Sequence, residues 1–145
     1  MGPDADGLSI VVSGEAGNSA ILAVGAALAA EMAARFGTRD EAAFSVVAYA
    51  GEAVAGGASG ASHWGWCYVR QVWVGEGWRR RGLGRRLLAE VEGLARGRGC
   101  VGVYVDTFDA AAVRFYERAG FVVCGRMEGF PPGFARVFLA KRLAG

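Results

Sequence analysis

Residues 79–85 read Arg79-Arg80-Arg81-Gly82-Leu83-Gly84-Arg85, and they stand between a β-branched run ending Val72-Trp73-Val74 and a helical repeat that begins at Leu83. Gly82 and Gly84 carry no side chain to shield the backbone, so several amide N–H groups can converge on one anion there. The start of a helix adds its own partial positive charge. A pyrophosphate suits such a turn. It is not a Walker loop, which needs Gly-x-x-x-x-Gly-Lys followed by Ser or Thr, a run this chain lacks. The plainer readings of Arg79, Arg80, Arg81, Arg85 and Arg86 are a solvated basic helix start or a nucleic-acid patch. Against both, the cluster follows an apolar strand and opens a long amphipathic helix, so it belongs to a packed turn and not to a mobile tail.

Downstream of the turn, Leu83, Leu87, Leu88, Val91, Leu94 and Ala95 recur at helical spacing until Gly99 stops the helix. Val101, Val103 and Val105 then alternate as a strand. Asp109 caps a short helix through Ala119, closed by Gly120, and Phe121–Met127 and Phe134–Leu139 read as two further strands. Upstream, Trp64–Val74 is a long aromatic and β-branched strand. Before it, Phe44–Ala50 and Ala53–Ala58 flank Gly51-Glu52, the spacing of a tight hairpin, after which glycines 56, 57 and 60 are expected to loosen the chain. Leu8–Val12 reads as a short first strand, and Asn18 or Ser19 as the cap of a helix running to about Phe36, where Gly37 ends it.

The order strand, helix, strand from Trp66 to Val105 implies a right-handed crossover joining two parallel strands inside a largely antiparallel sheet. The fold class is therefore mixed α/β. At the carboxyl ends of such strands a crevice opens, and the arginine turn sits at that place.

With 145 residues, 53% apolar and 21% charged, the chain is expected to form one domain spanning 1–145 with a continuous core. A net charge of +2 gives no whole-protein field toward nucleic acid or an anionic membrane. Cys67, Cys100 and Cys124 are odd in number and widely spaced, with no Cys-x-x-Cys or histidine pair. They read as free buried thiols in a cytoplasmic protein, with no metal site. Ala20–Ala30 has no polar side chain but spans only about eleven residues, short of the roughly eighteen a bilayer needs, and Glu31 and Arg35 follow it. The chain start is acidic, unlike a secretory signal. The segment is read as a core helix, with no membrane partner.

Arg79-x-x-Gly82-x-Gly84 after a Val-x-Val strand end resembles the pyrophosphate loop of the GNAT superfamily of N-acetyltransferases. Asp109-x-x-Ala112-Val113-x-Phe115-Tyr116-Glu117-x-x-Gly120-Phe121 is similar to that family's Asn-x-x-Ala-x-x-Leu-Tyr-x-x-x-Gly-Phe segment, one strand later. The resemblance covers roughly Trp64 to Leu143. Asp106-Thr107-Phe108 and Pro131-Pro132-Gly133 are similar to segments of small bacterial members, whereas the N-terminal third agrees only in element order.

The resemblance implies a GNAT-like mixed sheet of about seven strands with helices on both faces, acetyl-CoA as the acyl donor, and no metal. Val72 and Val74 would pair with the pantetheine like an added strand. Arg79, Arg80, Arg81, Gly82, Gly84 and Arg85 would hold the pyrophosphate. Asp109 stands where the family has Asn, keeping a helix cap but losing an amide donor toward the cofactor. Tyr116 would protonate the departing thiolate: a phenol of pKa about 10 stays protonated at neutral pH, and giving its proton to a thiolate of pKa about 8.5 costs roughly 2 kcal/mol. Its plainer reading is a core tyrosine. Asp109, Val113 and Tyr116 fall at i, i+4 and i+7, on one helix face.

The acceptor, a small-molecule or peptide amine, needs a base, which the residues leave open. Related small members often carry Glu near the position of Arg70, and an arginine does not serve as a base in the ordinary way. His63, Glu76 and Asp106 remain. His63 and the four tryptophans have structural readings first, and the Gly129–Phe134 loop with the Gly37–Glu41 turn would frame the acceptor pocket. A homodimer is compatible with the resemblance. Two rival readings stand beside the enzyme: a non-catalytic acyl-CoA sensor, favoured by Arg70 and Asp109, and a small nucleic-acid-binding domain.

Overall fold

The computed structural model describes residues 5–144, which fall into two compact units, one ending at Arg39 and the other beginning at Asp40. The first holds a single regular element, α1 (Ser19–Phe36). Its ends are those the sequence marks: Asn18 Oδ1 accepts from Ile21 N at 2.9 Å, and Gly37 turns out with φ 86°. Leu8–Val12, expected as a strand, is irregular and exposed, so its backbone groups are left to water. The core-helix reading of Ala20–Ala30 is also corrected, because no residue of α1 is buried. The complete helix, unlike its eleven-residue polar-free run, is long and apolar enough by length and composition to cross a bilayer.

The second unit is built on a six-stranded sheet: β1 (Ala42–Ala50), β2 (Ala53–His63), β3 (Trp66–Val74), β4 (Gly102–Thr107), β5 (Val122–Glu128) and β6 (Ala135–Arg142), in the order β1-β2-β3-β4-β6-β5. Six strands replace the expected seven, the missing one being Leu8–Val12. β3 and β4 are parallel, joined by α2 (Leu83–Gly97), and every other neighbouring pair is antiparallel. The Gly51-Glu52 hairpin forms with Ala50 opposite Ala53. Trp64-Gly65 makes a second two-residue turn, both residues at positive φ (47° and 82°), so β3 starts at Trp66.

Glycines 56, 57 and 60 do not loosen the chain; they lie inside β2, where small residues let neighbouring backbone approach. A Cβ on Gly60 would stand 1.9 Å from the Tyr68 carbonyl oxygen, and one on Gly56 2.7 Å from that of Trp73. The pleat sorts the sheet into two faces. Cys67, Val69, Val103, Val105, Val137 and Leu139 turn to one face and meet Leu88, Val91 and Ala95 of α2 and Tyr116 of α3 (Ala110–Arg118) in the core. The two helices of this unit, α2 and α3, share that face. Trp66, Tyr68, Tyr104, Asp106, Arg136 and Phe138 turn the other way and are half-buried. Of the cysteines, Cys67 and Cys100 are buried as expected, and burial with the nearby Cys100 pushes the Cys67 thiol up to about 11. The buried reading is corrected for Cys124, which is exposed because it lies on the edge strand β5.

Candidate active site

The cleft originates in a mismatch of strand lengths. β3 and β4 pair from Trp66↔Gly102 to Val69↔Val105, after which β3 continues to Val74 and β4 ends at Thr107. Beyond Val69 the β4 side of β3 has no strand partner, while its other side stays paired with β2 as far as Val74. The chain then turns through Glu76–Trp78 and enters α2 at Gly82, which holds φ 81° and ψ 9°. No side chain caps α2, although Asn18 and Asp109 cap α1 and α3. The first intrahelical bond runs from Arg86 N to Gly82 O (3.1 Å), so the amides of Leu83, Gly84 and Arg85 have no acceptor within the helix. An anion completes such an end.

A cavity of about 700 Å³ lies where the end of β3, the start of α2 and one side of α3 converge. Val72, Val74, Arg79, Arg80, Gly82, Gly84, Arg85, Asp109 and Tyr116 all line it. Arg81, the remaining predicted donor, does not. It lines a neighbouring cavity of about 360 Å³, with its guanidinium 5.1 Å from the Trp78 ring centre. The cause is local backbone: Arg80 sits at φ 62° and Gly82 at φ 81°, so successive residues of the turn point to opposite sides. Arg79 is partly committed, its Nε donating to Val74 O at 3.0 Å. Gly84 has a packing reason as well, since a Cβ there would come within 3.2 Å of Phe115, the residue that brings α3 against α2.

Asp109 spends its carboxylate on the cap, accepting from Ala111 N at 3.0 Å. Tyr116 packs edge-on against Phe115 and Phe121, at 5.3 and 5.5 Å between ring centres. Burial, and then the Asp106 carboxylate, push its phenol up to about 12. Among the described residues no protein group hydrogen-bonds the Tyr116 hydroxyl, which leaves it to the cavity.

The three base candidates separate. His63 lies at the far end of β2, opposite Trp66, in a small cavity with Asp40, Ser62 and Arg98. At about 3.3 Å per strand residue, it stands some 20 Å along the sheet from Val72. Glu76 belongs to the turn and does not line the cleft. Asp106 lies just past the last β3–β4 pair, on the face away from the helices. There it accepts from the Tyr68 hydroxyl (2.5 Å) and from Arg136 Nε (2.8 Å). The Tyr68–Asp106–Arg136 cluster escapes a reading of the sequence because 38 and 30 residues separate its members. Sheet register alone joins them. Burial, then the Asp106 hydrogen bond, raises Tyr68 above its ordinary value.

A parallel pair that parts over an uncapped, glycine-opened helix start, with a buried tyrosine across the gap, defines the acyl-CoA-dependent N-acyltransferase class. The chain belongs to the Acetyltransferase (GNAT) family, whose profile matches residues 23–121. It is 36% identical over 136 residues to "Acetyltransferase Atu2258" of Agrobacterium fabrum, covering 93% of this chain and 99% of that protein. It is 41% identical over 91 residues to a blasticidin-S acetyltransferase of Streptomyces morookaense, covering 62% of this chain and 67% of the other. Among solved structures, an acetyltransferase from Bacillus cereus superposes with a TM-score of 0.77 at 28% identity, over 89% of this chain and 96% of that one. The protein is an N-acetyltransferase of a family that uses acetyl-CoA.

Proposed function

We propose that this chain transfers the acetyl group of acetyl-CoA to a primary amine by direct attack within a ternary complex. The observation that carries the reading is the cleft itself, with nine sequence-predicted residues around one cavity. The amides of Leu83, Gly84 and Arg85, with Arg80 and Arg85 beside them, suit a pyrophosphate. The unpaired side of β3 at Val72 and Val74 offers backbone groups to the amides of a pantetheine arm. The amine nitrogen forms its bond to the acetyl carbon as the carbon–sulfur bond breaks, and the sulfur leaves as thiolate and takes the Tyr116 proton. The second proton, shed by the nitrogen as it becomes an amide, returns the phenolate to phenol through water. The ammonium proton of the acceptor leaves to water before attack, since Asp106 has both oxygens engaged.

The blasticidin-S relative supports a small-molecule amine as acceptor. Calorimetry with acetyl-CoA, followed by thiol release over a panel of amines, tests the proposal. Binding together with amine-dependent thiol release supports it; binding without release with any amine favours a sensor. No binding removes the donor site.

A further inference from the structure

We infer that the acceptor amine also carries a carboxylate, read by Arg70, and that polycationic amines are poor substrates; the inference rests on the transferase reading above. The cleft lies on the helix face of the sheet, and the gap beyond Val69 and Val105 leads from it to the opposite face, which is the side assigned here to the acceptor.

Arg70 is the first residue past that pairing. The β2–β3 register passes from Gly60↔Val69 to Ser59↔Gln71 and leaves Arg70 unmatched in a bulge. Val69 and Val72 both face α2 and α3, which turns Arg70 to the other face of the sheet, and its guanidinium carbon stands 6.0 Å from the Tyr68 ring centre. It is exposed and makes no ion pair among the described residues.

Among the described strand residues of this face, no carboxylate is left unpaired. Asp106, its side chain 8% exposed, divides its oxygens between Tyr68 and Arg136. Arg136 in turn lies 5.6, 5.3 and 5.0 Å from the ring centres of Phe108, Phe130 and Phe138. An aromatic box of that kind would hold a ligand cation, and here the protein's own guanidinium fills it. Arg142, over Trp66 at the far end, adds another positive charge. No strand residue of β1 or β2 contributes an acid. A polyamine meets fixed positive charge on this face, whereas a carboxylate meets an unpaired guanidinium one residue from the gap. The short span between Arg70 and the gap favours an amine and carboxylate a few bonds apart, as in an amino acid.

The test compares kcat/KM for amino acids, their methyl esters and spermidine, in the wild type and in Arg70→Ala, Arg70→Lys and Arg70→Glu. Acetyl-CoA affinity is measured alongside by calorimetry. The expected result is a preference of about ten-fold or more for the free carboxylate over its ester, erased by Arg70→Ala, partly kept by Arg70→Lys and reversed toward spermidine by Arg70→Glu, with donor affinity unchanged. Spermidine outrunning the amino acids, or an ester ratio that survives Arg70→Ala, overturns the inference while intact acetyl-CoA binding leaves the donor site standing. A donor-loaded protein that neither acetylates nor binds any carboxylated amine overturns it equally. Absence of acetyl-CoA binding overturns the transferase reading itself.

Discussion

Tyr116, in the role proposed for it, shows how burial would both make and limit a proton donor. At 7% exposure its phenol sits near 12 and not near 10, so it stays protonated over the whole working range. Full transfer to a free thiolate then costs about 5 kcal/mol instead of about 2. The thiolate formed in the same cleft is desolvated too and so more basic, which recovers part of the difference. Replacing Tyr116 with Phe keeps the ring packing against Phe115 and Phe121 and removes only the proton donor. We expect kcat to fall about 100-fold, with acetyl-CoA affinity by calorimetry little changed; equal turnover in the variant would strip Tyr116 of this role. The pH profile is a second check. Activity should rise with pH as the acceptor amine loses its proton, and the raised Tyr116 should impose no falling limb below pH 10. A Tyr116-dependent fall centred between pH 8 and 9 would contradict the assignment.

At the scale of elements, β2 is the strand on which the cleft depends, because its small residues let β3 bulge where Arg70 turns away from the helices. Gly60→Ala places a methyl group 1.9 Å from the Tyr68 carbonyl oxygen, where backbone and not a flexible side chain must give. The expected cost is about 3 kcal/mol in urea unfolding, and a variant as stable as the wild type would show that the bulge relaxes freely. This strand was the least legible part of the sheet: glycines 56, 57 and 60 are turn residues by local preference, and only the closeness of β1 and β3 explains them as strand. By contrast α2, α3 and β4 were readable because each buries one face, so Leu87, Leu88 and Val91, or Val103 and Val105, carry their period in the sequence. Leu8–Val12 and α1 mark the other limit, since their apolar composition reads as burial and both are largely exposed. The cleft proposed for the donor was legible because strand end, glycine turn and helix start are contiguous. Arg81 was misplaced because the positive φ of Arg80 reverses direction within one residue. The Asp106 cluster was invisible because it depends on β3, β4 and β6 lying side by side.

For the molecule as a whole, the small net charge of +2 conceals a concentrated field at the α2 entrance, where Arg79, Arg80 and Arg85 line the cleft around free amides. Groups so arranged repel one another until an anion arrives, so part of the binding free energy of the donor should appear as stability of the fold. A ligand at about 100 times its dissociation constant adds roughly 2.7 kcal/mol to the bound state, which for a chain of this size raises Tm by about 5–10 °C. Acetyl-CoA should produce that shift in the wild type and lose much of it as salt screens the arginines. Gly82→Glu puts a carboxylate among the anion-binding amides and a side chain at φ 81°, so its unliganded Tm should already be lower. The decisive quantity is therefore the ligand-induced shift within each variant. A shift in Gly82→Glu as large as in the wild type would mean that the diphosphate binds elsewhere, because no arrangement of this turn holds both a glutamate and a pyrophosphate.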